Sequence, residues 1–184
     1  AMAVLVPTLL ANFLNLGVGP ATVYYVSRGD FNARIAVSGN LRLAVIVSVI
    51  GVAVILPFLL IWGNEIFPGV PSALLYFGLI SFPLTLALSY LNTVLQGLED
   101  FSAFNLTVLI PPYVNLIGVV IAFYLFGLGV AGALVAYIIS QLFGFLLILL
   151  LLRRKNAVGK VWAADEVRAS YTRAVLEYGW KAHL

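Results

Sequence analysis

Apolar residues run along this chain in long unbroken blocks, with the charges gathered between them. No Lys, Arg, Asp or Glu falls within 43–62, 72–95, 105–126 or 129–152. Each block reaches the roughly 20 residues that a helix needs to cross a hydrocarbon core about 30 Å thick. With a fifth apolar stretch over 3–27, the pattern predicts an all-α, integral membrane fold with five spans. The bundle covers residues 1–152, with spans expected at 3–27, 43–62, 72–95, 105–126 and 129–152. A cytoplasmic basic linker containing an amphipathic helix is expected over 153–178, and the start of a further transmembrane helix over 179–184.

Composition agrees with the blocks. Of 184 residues, 63% are hydrophobic and 9% charged, with a mean hydropathy of +1.10, where soluble domains carry about 25% charged residues. Cysteine is absent, which excludes a disulfide framework and thiolate chemistry. The opening AMAVLVPTLL lacks the basic region and cleavage site of a signal peptide. The chain therefore reads as one that starts inside or beside a span, a fragment of a longer, transporter-sized polypeptide.

The charges also test the number of spans. Arg28, Arg34 and Arg42 follow the first apolar block, and the other seven basic residues, from Arg153 to Lys181, follow the fifth. With five crossings all ten lie on one side, which the positive-inside rule makes cytoplasmic. Glu99 and Asp100 share that side, and acids weigh little in the rule. The expected localisation is a prokaryotic inner membrane, with the basic loops and linker in the cytoplasm.

Polar and helix-breaking residues interrupt the apolar blocks. In the first, ANFLNLGVGPATVYY sets Asn12 and Asn15 beside Gly17, Gly19 and Pro20. Glycine and proline weaken or remove helical hydrogen bonds, and the Pro20 ring clashes with the carbonyl of Leu16. A freed carbonyl in lipid is tolerated only where protein or a watery cavity covers it. Gly17, Gly19 and Pro20 are therefore expected to form a hinge on a helix that faces the interior. Asn12 and Asn15 either satisfy that bend, bond a neighbouring helix or line a lumen. Pro57, Pro83, Pro111 and Pro112 predict further bends. Asn92, Gln96, Asn115 and Gln141 add uncharged amides at several depths, which suit a path for a polyhydroxylated ligand better than a metal or proton site.

Two other patterns concern architecture. Gly132, Ala136, Ser140 and Gly144 recur every four residues, with Gly118 and Ala122 echoing them in the preceding block, and small residues so spaced let helices approach closely. Beyond the basic run RRKNAVGK, the positions Val167, Tyr171, Val175 and Tyr178 fall on one helical stripe, with Asp165 as N-cap and Gly179 as stop. That stripe predicts a short helix lying along the membrane surface.

Taken in order, NFLNLGVGPATVYYVSRG, LNTVLQGLEDFSAFN, GLGVAGALVAYIIS and LEYGWKAHL resemble the polysaccharide flippases of the multidrug/oligosaccharidyl-lipid/polysaccharide exporter superfamily. The resemblance covers nearly the whole chain and implies helices two to six of a first lobe, a linker, and the start of helix seven. The implied partners are the bilayer, a first helix and second lobe of the same polypeptide, and a lipid-linked oligosaccharide substrate. The implied function is movement of a polyprenyl-pyrophosphate-linked oligosaccharide from the cytoplasmic to the outer leaflet by alternating access, for surface polysaccharide or lipopolysaccharide biosynthesis. Arg28, Arg34 and Arg42 then lie where a pyrophosphate would enter, since guanidinium forks suit phosphate oxygens; topological anchoring is the other role open to them. These flippases often carry basic residues inside their spans, and this chain has none there.

Other classes fit less well. A cation-coupled drug exporter of the same superfamily needs an intramembrane carboxylate, and none lies in these blocks. A glycan polymerase or transferase needs acid/base groups or metal ligands at a membrane face. Here Asp30, Glu65 and the Glu99-Asp100 pair are scattered over three loops, and His183 is the single histidine. No enzymatic activity, catalytic residue, metal, cofactor or nucleic-acid partner is expected. A non-transporting scaffold remains the structural alternative.

Overall fold

The computed structural model describes residues 2–15, 17–158 and 165–182. Eight helices follow one another: α1 Met2–Phe13, α2 Val18–Ser27, α3 Ala33–Ile66, α4 Ser72–Leu79, α5 Ser81–Gly97, α6 Phe101–Tyr124, α7 Gly129–Arg154 and α8 Asp165–Ala182. Four segments are long and apolar enough to cross a membrane, α4 and α5 counting as one, and the bent pair α1–α2 makes a fifth.

Local chemistry accounts for the limits of these helices. The first basic loop is shorter than expected, because α3 begins ten residues before the uncharged block. Asn32 caps it, its side-chain oxygen accepting from the Arg34 N–H at 3.0 Å, and so Arg34 and Arg42 ride on a helix. Asp100 caps α6 in the same way through the Ala103 N–H at 3.1 Å, which reduces the expected 96–104 loop to three residues. The ends of α2, α5 and α7 close alike. Asp30 N–H bonds to the Tyr25 carbonyl at 3.1 Å, Asp100 N–H to Leu95 at 3.0 Å and Ala157 N–H to Leu152 at 2.9 Å. Each six-to-one bond turns on a left-handed residue: Gly29, Glu99 and Asn156.

Prolines act unequally. Pro83 stands in the first turn of α5, and α4 ends at Leu79, four residues earlier, where the ring would meet the carbonyl. Pro57, Pro111 and Pro112 lie within helices that continue through them.

At the centre of the bundle stands α5. Phe82, Leu86, Tyr90, Leu91, Val94 and Leu95 are all fully buried, against α1, α2, α3, α6 and α7. On α3, α6 and α7 large apolar side chains instead point outward, among them Val54, Ile61, Leu116, Phe123, Ile139 and Leu150. Apolar surface on this scale suits lipid rather than water.

The small-residue ridge of α7 is buried along its whole length and seats on α6. A methyl group added at Gly132 would come within 2.8 Å of Ala122 Cβ, one at Gly118 within 3.0 Å of Ala136 Cβ, and one at Gly144 within 2.8 Å of Pro111 Cγ. Close backbone approach is thus what the four-residue repeat supplies.

The amphipathic stripe of α8 is turned into protein, in the groove between α2 and α3. Tyr171 and Val175 are fully buried, Tyr178 is half-buried, and Val167 is exposed. Gly179 does not stop the helix, which runs on to Ala182. The described part of 179–184 is thus a continuation of α8, and the remainder lies outside the described residues.

Candidate functional site

The first span breaks at Gly17. Its φ of 67° is left-handed, a region that glycine enters without a Cβ penalty, and α1 and α2 meet at a bend of 53°. A second constraint falls on the same residue: a Cβ there would lie 2.5 Å from Gly179 Cα. Two glycines therefore allow the bend to touch the backbone of α8. Of Gly17, Gly19 and Pro20, the residues expected to form a hinge, Gly17 has the left-handed backbone at the bend. Gly19 and Pro20 belong to the first turn of α2, where a missing N–H costs nothing. The clash expected at the Leu16 carbonyl lies outside the described residues.

Sequence reasoning missed the group that satisfies the bend, which is Tyr90 of α5. Its hydroxyl donates to the Leu14 carbonyl at 3.1 Å and lies 3.5 Å from the Asn15 carbonyl. Asn15 lies in the crook, its amide 3.9 Å from the position a Gly19 Cβ would take, and its buried Oδ1 has no hydrogen-bond partner among the described residues. Asn12 is exposed.

Beside the bend, four helices meet at a buried polar node. Asn40 Nδ2 donates to Thr22 Oγ1 at 3.1 Å and to the Tyr90 carbonyl at 2.9 Å. The Tyr171 hydroxyl donates to Asn40 Oδ1 at 2.8 Å and lies 3.0 Å from Thr22 Oγ1. One assignment uses every donor in the ring: Asn40 to Thr22, Thr22 to Tyr171, Tyr171 to Asn40. The node therefore needs no water, and it joins α2, α3, α5 and α8. The Tyr171 ring fits because residue 39 is glycine, where a Cβ would come within 2.5 Å of it. Around it Phe31 packs edge-on at 5.2 Å, and Tyr178 stacks on Tyr24 at 4.9 Å. Asn40 escaped notice because it falls in a stretch that reads as a loop.

The remaining amides have varied surroundings. Gln141 Nε2 donates to Thr85 Oγ1 at 2.8 Å, joining α7 to α5. Asn92 accepts from Thr107, joining α5 to α6. Gln96 is half-buried in the last turn of α5. Asn115 is half-buried, its buried Oδ1 without a partner among the described residues.

Basic residues gather at one end. Lys155 Nζ meets Asp100 Oδ2 at 2.8 Å, and Arg34 donates to the Asn156 carbonyl. These two ties put the end of α7, the α5–α6 turn and the start of α3 together at one end of the bundle. Asp100 is held below the ordinary carboxylate range chiefly by its hydrogen bond from Lys155, and next by the Ala103 N–H. Arg28 is engaged locally, with Asp30 at 3.3 Å and over the Tyr24 ring at 5.0 Å. Arg42 is exposed and lines a cavity with Arg173. Among the described residues no cluster of His, Cys, Asp or Glu has the makings of a metal site.

The class defined by this arrangement is an α-helical protein with several apolar helices fit to cross a membrane, consistent with a multi-pass membrane protein. No family model, curated protein or solved structure matches the chain.

Proposed function

We propose that this chain is most of one lobe of a flippase-type transporter, carrying a polyprenyl-pyrophosphate-linked oligosaccharide from the cytoplasmic to the outer leaflet. The observation that carries the reading is the broken first span: a left-handed Gly17 beside an Asn15 oxygen that has no partner among the described residues, the bend being turned toward α5 and α8. Broken helices with irregular backbone facing the protein interior are a recurring feature of membrane transporters. The resemblance to polysaccharide flippases supplies the substrate class. Arginines at one end of the bundle fit the cytoplasmic entry of a diphosphate head group. The second lobe and first helix would come from the same polypeptide.

The test is genetic. The full-length gene is expected to restore surface glycan in a flippase-deficient strain. A protein that is present and correctly inserted, yet leaves the glycan absent from the surface, overturns the proposal.

A further inference from the structure

We propose that the crevice between α3 and α8 binds an anionic phospholipid of the surrounding bilayer. A cavity of about 380 Å³ opens there, with Arg42 and Arg173 among its lining residues and Leu43, Ile46 and Leu176 as apolar walls. It combines the two chemistries of one amphiphile. Guanidinium groups match phosphate oxygens, and the aliphatic walls match an acyl chain.

The chain has somewhere to go. Below Arg42, successive turns of α3 present Ile46, Val49 and Ile50, which are 44%, 64% and 56% exposed. Spaced four, seven and eight residues from Arg42, these share its side of the helix and extend the cavity wall into the lipid-facing surface. A phospholipid with its phosphate between the two arginines would lay its chain along this lane. A free phosphate would leave it empty. Arg173 also pairs with Glu177 at 3.1 Å, an exposed contact that leaves guanidinium N–H groups for a second acceptor. Basic side chains near the membrane surface favour anionic over zwitterionic lipid. The site asks only that the bundle sit in a bilayer, so it stands whether or not the protein transports.

Trp180 offers a reporter, since it lies one turn beyond Leu176 on the same side of α8 and is 71% exposed. The full chain carrying Trp62→Phe and Trp162→Phe, so that Trp180 is its single tryptophan, is placed in nanodiscs over matched series of mole fractions of brominated phosphatidylglycerol or brominated phosphatidylcholine. The anionic lipid is expected to quench Trp180 at a mole fraction lower by on the order of tenfold. Arg42→Gln with Arg173→Gln should make the two lipids equal, while Arg42→Lys with Arg173→Lys should retain a preference, and unchanged hydrogen exchange of α8 amides in both variants shows that α8 stays docked. Equal quenching of the unsubstituted site, or a preference that survives both glutamines, overturns the proposal. So does loss of the preference on adding inorganic phosphate at constant ionic strength, because the crevice would then hold phosphate without its lipid.

Discussion

The hydroxyl of Tyr171 donates to the amide oxygen of Asn40 at 2.8 Å across 131 residues of sequence, both side chains being fully buried. This bond, closed into a ring by Thr22, fastens α8 to the rest of the helical bundle. It also accounts for the depth that α8 reaches. Gly179 meets Gly17, eleven residues and about 16 Å along the helix from Arg28.

Tyr171→Phe keeps the ring in its notch beside Gly39 and removes the hydroxyl. Asn40 Oδ1 then retains Thr22 at 3.3 Å as its partner. The expected loss is about 1–2 kcal/mol of docking stability. Hydrogen exchange of α8 amides should quicken while α6 and α7 keep their protection. Unchanged exchange in α8 would mean that the node does not hold the helix.

Gly17→Ala meets two penalties at once. Alanine in a left-handed conformation costs about 1 kcal/mol, and its methyl would lie 2.5 Å from the Gly179 backbone. A loss above about 2 kcal/mol is expected, read as a lowered Tm in detergent. Ala at Gly29 keeps the positive φ and meets nothing within 4 Å, so it should cost only the first part. Equal Tm losses for the two variants would contradict the close approach of α8.

Along the α6–α7 seam, Gly144→Val should be poorly tolerated, since even a Cβ there comes within 2.8 Å of Pro111 Cγ. A loss of about 1–3 kcal/mol is expected from overpacking. The loss is read as a lowered Tm in detergent, and an unchanged Tm would contradict the close approach of α6 and α7.

Acid should loosen the charged end. The folded state holds the Asp100 carboxyl below its ordinary value of 3.8, so the folded protein binds this proton less readily than the unfolded chain. The contribution is therefore present above 3.8 and is lost as pH falls through that value and below it. Tm is expected to fall as pH drops below about 3.8, and Asp100→Asn should flatten that drop. An acid limb as steep in the variant as in the parent would place its origin elsewhere.

How much of this could be read beforehand differs from feature to feature. The apolar blocks located the helices of α3, α6 and α7, and the Gly132–Gly144 repeat marked the face on which α7 packs. The stripe through Tyr171 and Val175 was legible as a buried face, but it was expected to lie along the membrane surface and packs instead between α2 and α3. Gly17 was recognisable as a place where a helix would break. Gly19 and Pro20 looked equally disruptive, yet the break one residue before α2 put both in a first turn, where their effect is small.

Backbone hydrogen bonding within a helix is local and long apolar runs favour helices, so the chain by itself determined where the apolar helices lie and where its basic residues cluster. It did not determine every helix limit: α3 begins ten residues early and α8 runs past Gly179. Polar partnerships depend on how each helix is rotated about its axis and how deep it sits, and residues far apart settle that together. Only the tertiary structure therefore decided that Tyr90 closes the bend, that Asn40 gathers Thr22 and Tyr171, and that α8 packs into a groove.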